Sequence, residues 1–157
     1  MHIARIVSLV NAIRPDDENV ALLLHILGAM LLIGGLLAAA SSLALARESV
    51  NLLRLGYVAL LAVALPGWIA MFAGAEWIYR AQGLADEPID SAWVLTGFLV
   101  AELGGVLLLA ALILGGVGVH RLRAGKGRRL LTATLAISIV LLIANLVAVW
   151  AMAGKPD

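Results

Sequence analysis

Four long runs without charge constrain this chain more than any other feature. Asn19 to Ala46 carries no charged residue, and Leu55 to Ala75 lies uncharged between Arg54 and Glu76. Ser91 to Val119 is interrupted only by Glu102, and Leu130 to Gly154 is again uncharged. A helix needs about 20 apolar residues to cross the hydrocarbon core of a bilayer. The runs therefore predict membrane helices at 20–44, 52–75, 93–119 and 130–153. Short connections make sequential helices antiparallel neighbours. The expected fold is all-α: one transmembrane domain spanning residues 1–157, an up-down antiparallel four-helix bundle in the lipid bilayer.

Composition agrees. Hydrophobic residues make up 63% of the chain and charged ones 13%, against about 45–50% and about 25% in a soluble domain. A net charge of +1 gives no lean toward nucleic acid. The chain has no Cys, which removes thiol catalysis, thiolate zinc sites and iron–sulfur clusters.

Ahead of the first span, Ile3, Ile6, Val7, Val10 and Ile13 recur at near-helical spacing around Arg5. This pattern predicts a short interfacial helix rather than a signal peptide. Asp16, Asp17 and Glu18 then place negative charge at the start of span 1, where the helix dipole favours it.

Basic residues set the orientation. The connections after spans 1 and 3 hold seven Lys and Arg (Arg47, Arg54, Arg121, Arg123, Lys126, Arg128 and Arg129), and the other side holds four, Arg5, Arg14, Arg80 and Lys155. Both termini are expected outside, with the basic 120–129 loop in the cytoplasm setting topology or meeting anionic lipid. Trp77, Tyr79, Trp93 and Trp150 fall at outer span ends, the usual place of interfacial anchors.

Lipid supplies no hydrophobic drive between helices, so small residues must let them approach. Gly28, Gly34, Gly35, Ala70, Gly74, Ala101, Gly105, Ala111 and Gly115 are so placed. They serve packing within the chain or a homo-oligomer. Pro66, in mid-span 2, removes the hydrogen bond to the Ala62 carbonyl and predicts a kink.

An ionisable group inside a span is costly and marks a functional candidate. His25 lies about 10 Å from its span midpoint and Glu102 about 6 Å, both in the outer half, at a rise of about 1.5 Å per residue. Trp68 and Asn145 fall in the same half, roughly 5 Å past their midpoints. Small neighbours, Gly28 and Ala29 beside His25 and Gly105 beside Glu102, suggest that the polar side chains point inward. His25, Glu102, Trp68 and Asn145 thus form the candidate cofactor-binding set. A His–Glu couple can move protons, bind a quinone head group, or give heme one axial ligand. The same residues also admit a bland reading, in which His25 bonds a backbone carbonyl and Glu102 is a structural acid. His120, beside Arg121, belongs to the inner interface, and His2 precedes the spans. Met30 and Met71 could serve copper or heme iron, but Met30 lies about 140° around the helix from His25, so those two form no local chelate, and Met more often fills gaps.

Two stretches resemble a known group. Leu24-His25-Ile26-Leu27-Gly28-Ala29, followed by Ile33-Gly34-Gly35, is similar to the first helix of copper-resistance-D-like bacterial membrane proteins and their small four-helix relatives. Val149-Trp150-Ala151-Met152-Ala153-Gly154-Lys155-Pro156 resembles the last helix of those relatives. Membrane-type protoporphyrinogen oxidases look similar in having an early His in the first helix. The resemblance implies His25 as a metal or heme ligand, heme b as the candidate cofactor, and the bacterial plasma (inner) membrane as the location. Leu32 stands where those families often place Trp, and no second His lies inside a span.

Three functions follow as expectations: a redox or proton-coupled protein binding heme or a quinone, a structural or assembly subunit of a larger membrane complex, and an oligomeric transporter. A short similarity between Trp68 to Gly74 and Trp150 to Gly154 suits the last of these, because transporters are often built from repeats.

Overall fold

The computed structural model describes residues 17–46, 49–81 and 92–154. They form four helices, each long and apolar enough to cross a membrane. Helix α1 is Asp17–Leu45, α2 is Val50–Ala81, α3 is Ala92–Arg121 and α4 is Arg128–Gly154. The chain is a multi-pass membrane protein whose core is a four-helix bundle. The segment expected as an interfacial helix lies outside the described residues, as does the 82–91 connection.

The expected spans are all present, and α2 departs most. It runs to Ala81 rather than stopping at Ala75. Glu76 and Arg80 stand one turn apart and pair at 2.7 Å, so two charged residues extend the helix instead of ending it. At its start, Ser49 accepts a hydrogen bond from the Leu52 amide through its hydroxyl and caps the first turn.

Proline acts one turn earlier than a simple kink would. Residues Leu60–Ala64 form a π-helical segment that ends two positions before Pro66, and the Leu65 amide donates to the Leu60 carbonyl. Pro66 has no amide hydrogen to donate. The wider turn ahead of it carries the mismatch, as π-bulges do.

The α1–α2 seam is built on glycine. A Cβ on Gly35 would lie 2.6 Å from the Ala64 nitrogen, one on Gly67 2.5 Å from the Leu32 nitrogen, and one on Gly74 2.6 Å from the His25 nitrogen. Gly28 likewise abuts the Met71 backbone. Partner numbers rise on α1 as they fall on α2, so the two helices run antiparallel in close backbone contact. Helices α3 and α4 also run antiparallel: Gly97 meets Met152, Gly115 meets Thr134 and Gly118 meets Leu131. Their connection is a short 3₁₀ turn, Leu122–Ala124, followed by Gly125 and Gly127 at φ 67° and 105°. Those left-handed values suit glycine.

Leu32, Leu36, Leu60, Leu108, Ala111 and Leu141 form the central core. Thr134 and Ser138 are fully buried beside it, and their hydroxyls donate to the Leu130 and Thr134 carbonyls of their own helix. Such back-bonding satisfies a hydroxyl where no water is available. Many Leu, Ile and Val side chains face outward, as expected where the solvent is lipid.

Candidate functional site

Helices α2 and α3 meet through side chains rather than backbone. Tyr57, Trp68 and Tyr79 recur at eleven-residue spacing along α2. Tyr57 packs on Gly115 and Gly116, Trp68 on Gly105, and Tyr79 edge-on against Phe98 with ring centroids 5.1 Å apart. Trp68 also donates from Nε1 to the Ala101 carbonyl at 2.9 Å. These rings hold the two helices apart. Between the levels of Trp68 and Tyr79, the gap becomes a cavity of about 220 Å³.

The cavity lies in the half of the bundle away from the basic 120–129 turn. All four helices line it: His25 and Ala29 from α1, Met71, Phe72, Glu76 and Tyr79 from α2, Phe98 and Ala101 from α3, and Asn145, Ala148 and Met152 from α4. Its wall is mostly apolar. Phe72 stacks on Trp68 at 5.5 Å between ring centroids, which joins the cavity wall to the spacer above it.

His25 is the most constrained polar group in the wall. Its Nδ1 lies 2.9 Å from the Met71 carbonyl oxygen. A carbonyl only accepts, so Nδ1 carries the hydrogen. In the neutral ring, Nε2 then holds a lone pair. Among the described residues Nε2 has no hydrogen-bond partner, and no side-chain polar atom is both fully buried and unpartnered. Glycine makes this bond reachable, since Gly28 and Gly74 bring the α1 and α2 backbones together at the level of the ring. The bland expectation of a backbone-bonded histidine therefore holds for one nitrogen and leaves the other available.

Asn145 is buried on α4. Its amide nitrogen donates to the Leu141 carbonyl at 2.8 Å. The second amide hydrogen and Oδ1 remain to serve a ligand. The rim is formed by Tyr79 and by Glu76, whose carboxylate accepts from Arg80.

The four residues singled out in the sequence separate into two groups. His25 and Asn145 share the cavity, and Trp68 braces its edge. Glu102 does not join them. It is exposed on the outer face of α3, while the space beside Gly105 that suggested an inward carboxylate is filled by the Trp68 indole. Tyr79, expected as an interfacial anchor, also contributes to the site, with Met71, Phe72 and Phe98 beside it. The eleven-residue interval linking Tyr57, Trp68 and Tyr79 is the sequence signal that groups the spacers.

Heme does not suit this arrangement. A volume of about 220 Å³ falls below the about 300–1,000 Å³ of pockets that enclose drug-sized ligands. Among the described residues the lining offers one imidazole and the thioethers of Met71 and Met152, and no Lys or Arg that would hold propionates. Met30 is 65% exposed and points away from the site. Among the described residues, no three His, Asp or Glu side chains gather to hold a metal ion. The short similarity between α2 and α4 also ends at the sequence, since Trp68 is half-buried and hydrogen-bonded whereas Trp150 is 72% exposed.

Comparison with protein-family models, with curated proteins and with solved structures finds no match to this chain.

Proposed function

We propose that this protein binds the ring head group of a small lipid-soluble molecule of the quinone class, seated between His25 and Asn145. The observation that carries this reading is the contact of His25 Nδ1 with the Met71 carbonyl, which leaves Nε2 without a partner among the described residues, beside an apolar cavity. A quinol hydroxyl donates to Nε2, and the free Asn145 amide hydrogen donates to a ring carbonyl or hydroxyl oxygen. Phe72 and Phe98 offer ring contact, and the apolar wall suits a head group that arrives with a hydrocarbon tail. His25 takes the hydroxyl proton and returns it, with the Met71 carbonyl stabilising the charged ring. This gives the site a proton-handling role.

On this reading the cavity end of the bundle faces the outer side of a bacterial plasma membrane, which the gathering of basic residues at the other end supports.

The test is a titration of the protein in lipid nanodiscs with a short-chain benzoquinone, read by quenching of tryptophan fluorescence. Saturable binding is expected. His25→Ala and Asn145→Leu should each weaken it about 2–12-fold, the equivalent of one hydrogen bond. Absence of saturation, or equal affinity in both variants and the parent, would dismiss the reading.

A further inference from the structure

We propose that α3 pairs with α3 of a second copy of this chain, and that Glu102 meets its own counterpart at the centre of that contact. The starting observation is the exposure of Glu102 near the middle of a membrane helix. A polar acid facing lipid is costly, and such residues normally face protein or water. Nothing within the described residues covers it, and among them it makes no ion pair or hydrogen bond. Lys and Arg occur only near helix ends, and His25 bonds the Met71 carbonyl from the cavity side.

The neighbours of Glu102 specify the shape of what covers it. Leu95, Leu99, Val106, Leu109 and Ile113 are all exposed on α3, the last of these at 68%. Together with Glu102 they step along the helix by alternating intervals of four and three residues. That is the spacing of a helix–helix seam in which one polar position fixes the register.

Symmetry then selects the occupant. Copies inserted by the same charge rule share one orientation, so a two-fold axis relating them runs along the membrane normal. Two α3 helices across that axis are parallel, and each seam residue meets itself at its own depth. A carboxyl group suits this arrangement unusually well. In the acid form it carries one O–H donor and one carbonyl acceptor, so two such groups satisfy each other with no cation. A lone Lys or Arg at this position would repel its symmetry mate. The seam therefore fits a second copy of the chain. It lies on the outer surface of α3, away from the cavity, and does not depend on what the cavity binds.

The absence of Cys makes the test direct, because single cysteines can be placed in the otherwise native chain. Leu99→Cys, Val106→Cys and Leu109→Cys, oxidised in membranes, should yield disulfide-linked dimers. Leu23→Cys, Ile69→Cys and Val147→Cys, exposed on the other three helices, should not. Energy transfer between labelled copies in bilayers should show Glu102→Gln dimerising like the parent, since an amide also donates and accepts. Glu102→Ala should raise the dissociation constant about 3–30-fold, the range of an interhelical hydrogen bond in lipid. The proposal is overturned if the parent is monomeric in bilayers, if the seam positions crosslink no better than the other faces, or if Val106→Cys captures only a different protein.

Discussion

The His25 imidazole and the Met71 carbonyl are joined at 2.9 Å across the α1–α2 seam. This contact links a close backbone approach between α1 and α2 to the cavity. Gly28 and Gly74 remove the side chains that would keep the ring from the carbonyl. The bond then fixes which nitrogen faces the cavity. Breaking it with His25→Ala should lower unfolding stability by about 0.5–1.5 kcal/mol, the net value of one such bond. In the intact apoprotein at neutral pH, nitrogen NMR of the ring should show the Nδ1–H tautomer in excess. A dominant Nε2–H form would contradict the assignment.

Adjacent glycines on α1 offer an internally controlled test of the seam. A methyl added at Gly34 would meet no neighbouring element within 4 Å, whereas a Cβ on Gly35 would lie 2.6 Å from the Ala64 nitrogen. Gly34→Ala should be neutral or stabilising by up to about 1 kcal/mol, through helix propensity alone. Gly35→Ala should cost about 1–3 kcal/mol, because backbone must move to admit the methyl. Unfolding in mixed micelles would compare them. Equal behaviour of the pair would refute the close approach of α1 and α2.

Trp68 combines two roles that substitution can separate. Trp68→Phe removes the bond to the Ala101 carbonyl but leaves an aromatic spacer, so a loss of about 0.5–1.5 kcal/mol is expected. Trp68→Ala also removes the ring that packs on Gly105, and should cost about 3–5 kcal/mol, as for other aromatic truncations in a packed interior. A crosslink between Ala75→Cys and Ala101→Cys should form faster in the alanine variant, as α2 and α3 close together. An unchanged rate would show that the indole is no spacer.

These relationships mark where the sequence is informative. The spans are legible because the cost of burying charge in lipid leaves long uncharged runs. The end of α2 is not, because Glu76 and Arg80 look like a boundary until their pairing on one helical face is seen. The common level of His25, Trp68 and Asn145 is also legible, since it depends only on rise per residue. The direction in which Glu102 points is hidden. In water, an apolar stripe reveals the buried side of a helix. In a membrane, lipid and protein interior are both apolar, so α3 carries apolar residues all round. Small residues near a polar one mark room, but not what fills it: Gly105 makes room for Trp68 rather than for a partner of Glu102. Pro66 announces a disturbance, while its resolution as a π segment depends on the packing of Leu60 and Ala64 against α1.

The cavity itself can be tested without touching its polar groups. Ala29 lies in the wall one turn from His25, and its methyl borders about 220 Å³ of space. Ala29→Leu places an isobutyl group there and leaves the His25–Met71 bond in place. If that space receives a ligand head group, benzoquinone affinity should fall at least about tenfold, near 1.4 kcal/mol. Stability should be unchanged or rise by about 0.5–2 kcal/mol, as for other cavity-filling substitutions. The paired readout separates occupancy from damage. Lost binding in a less stable variant would indicate a distorted bundle, whereas lost binding at equal or higher stability locates the ligand beside His25. Full affinity in a stable Ala29→Leu protein would place any bound quinone elsewhere.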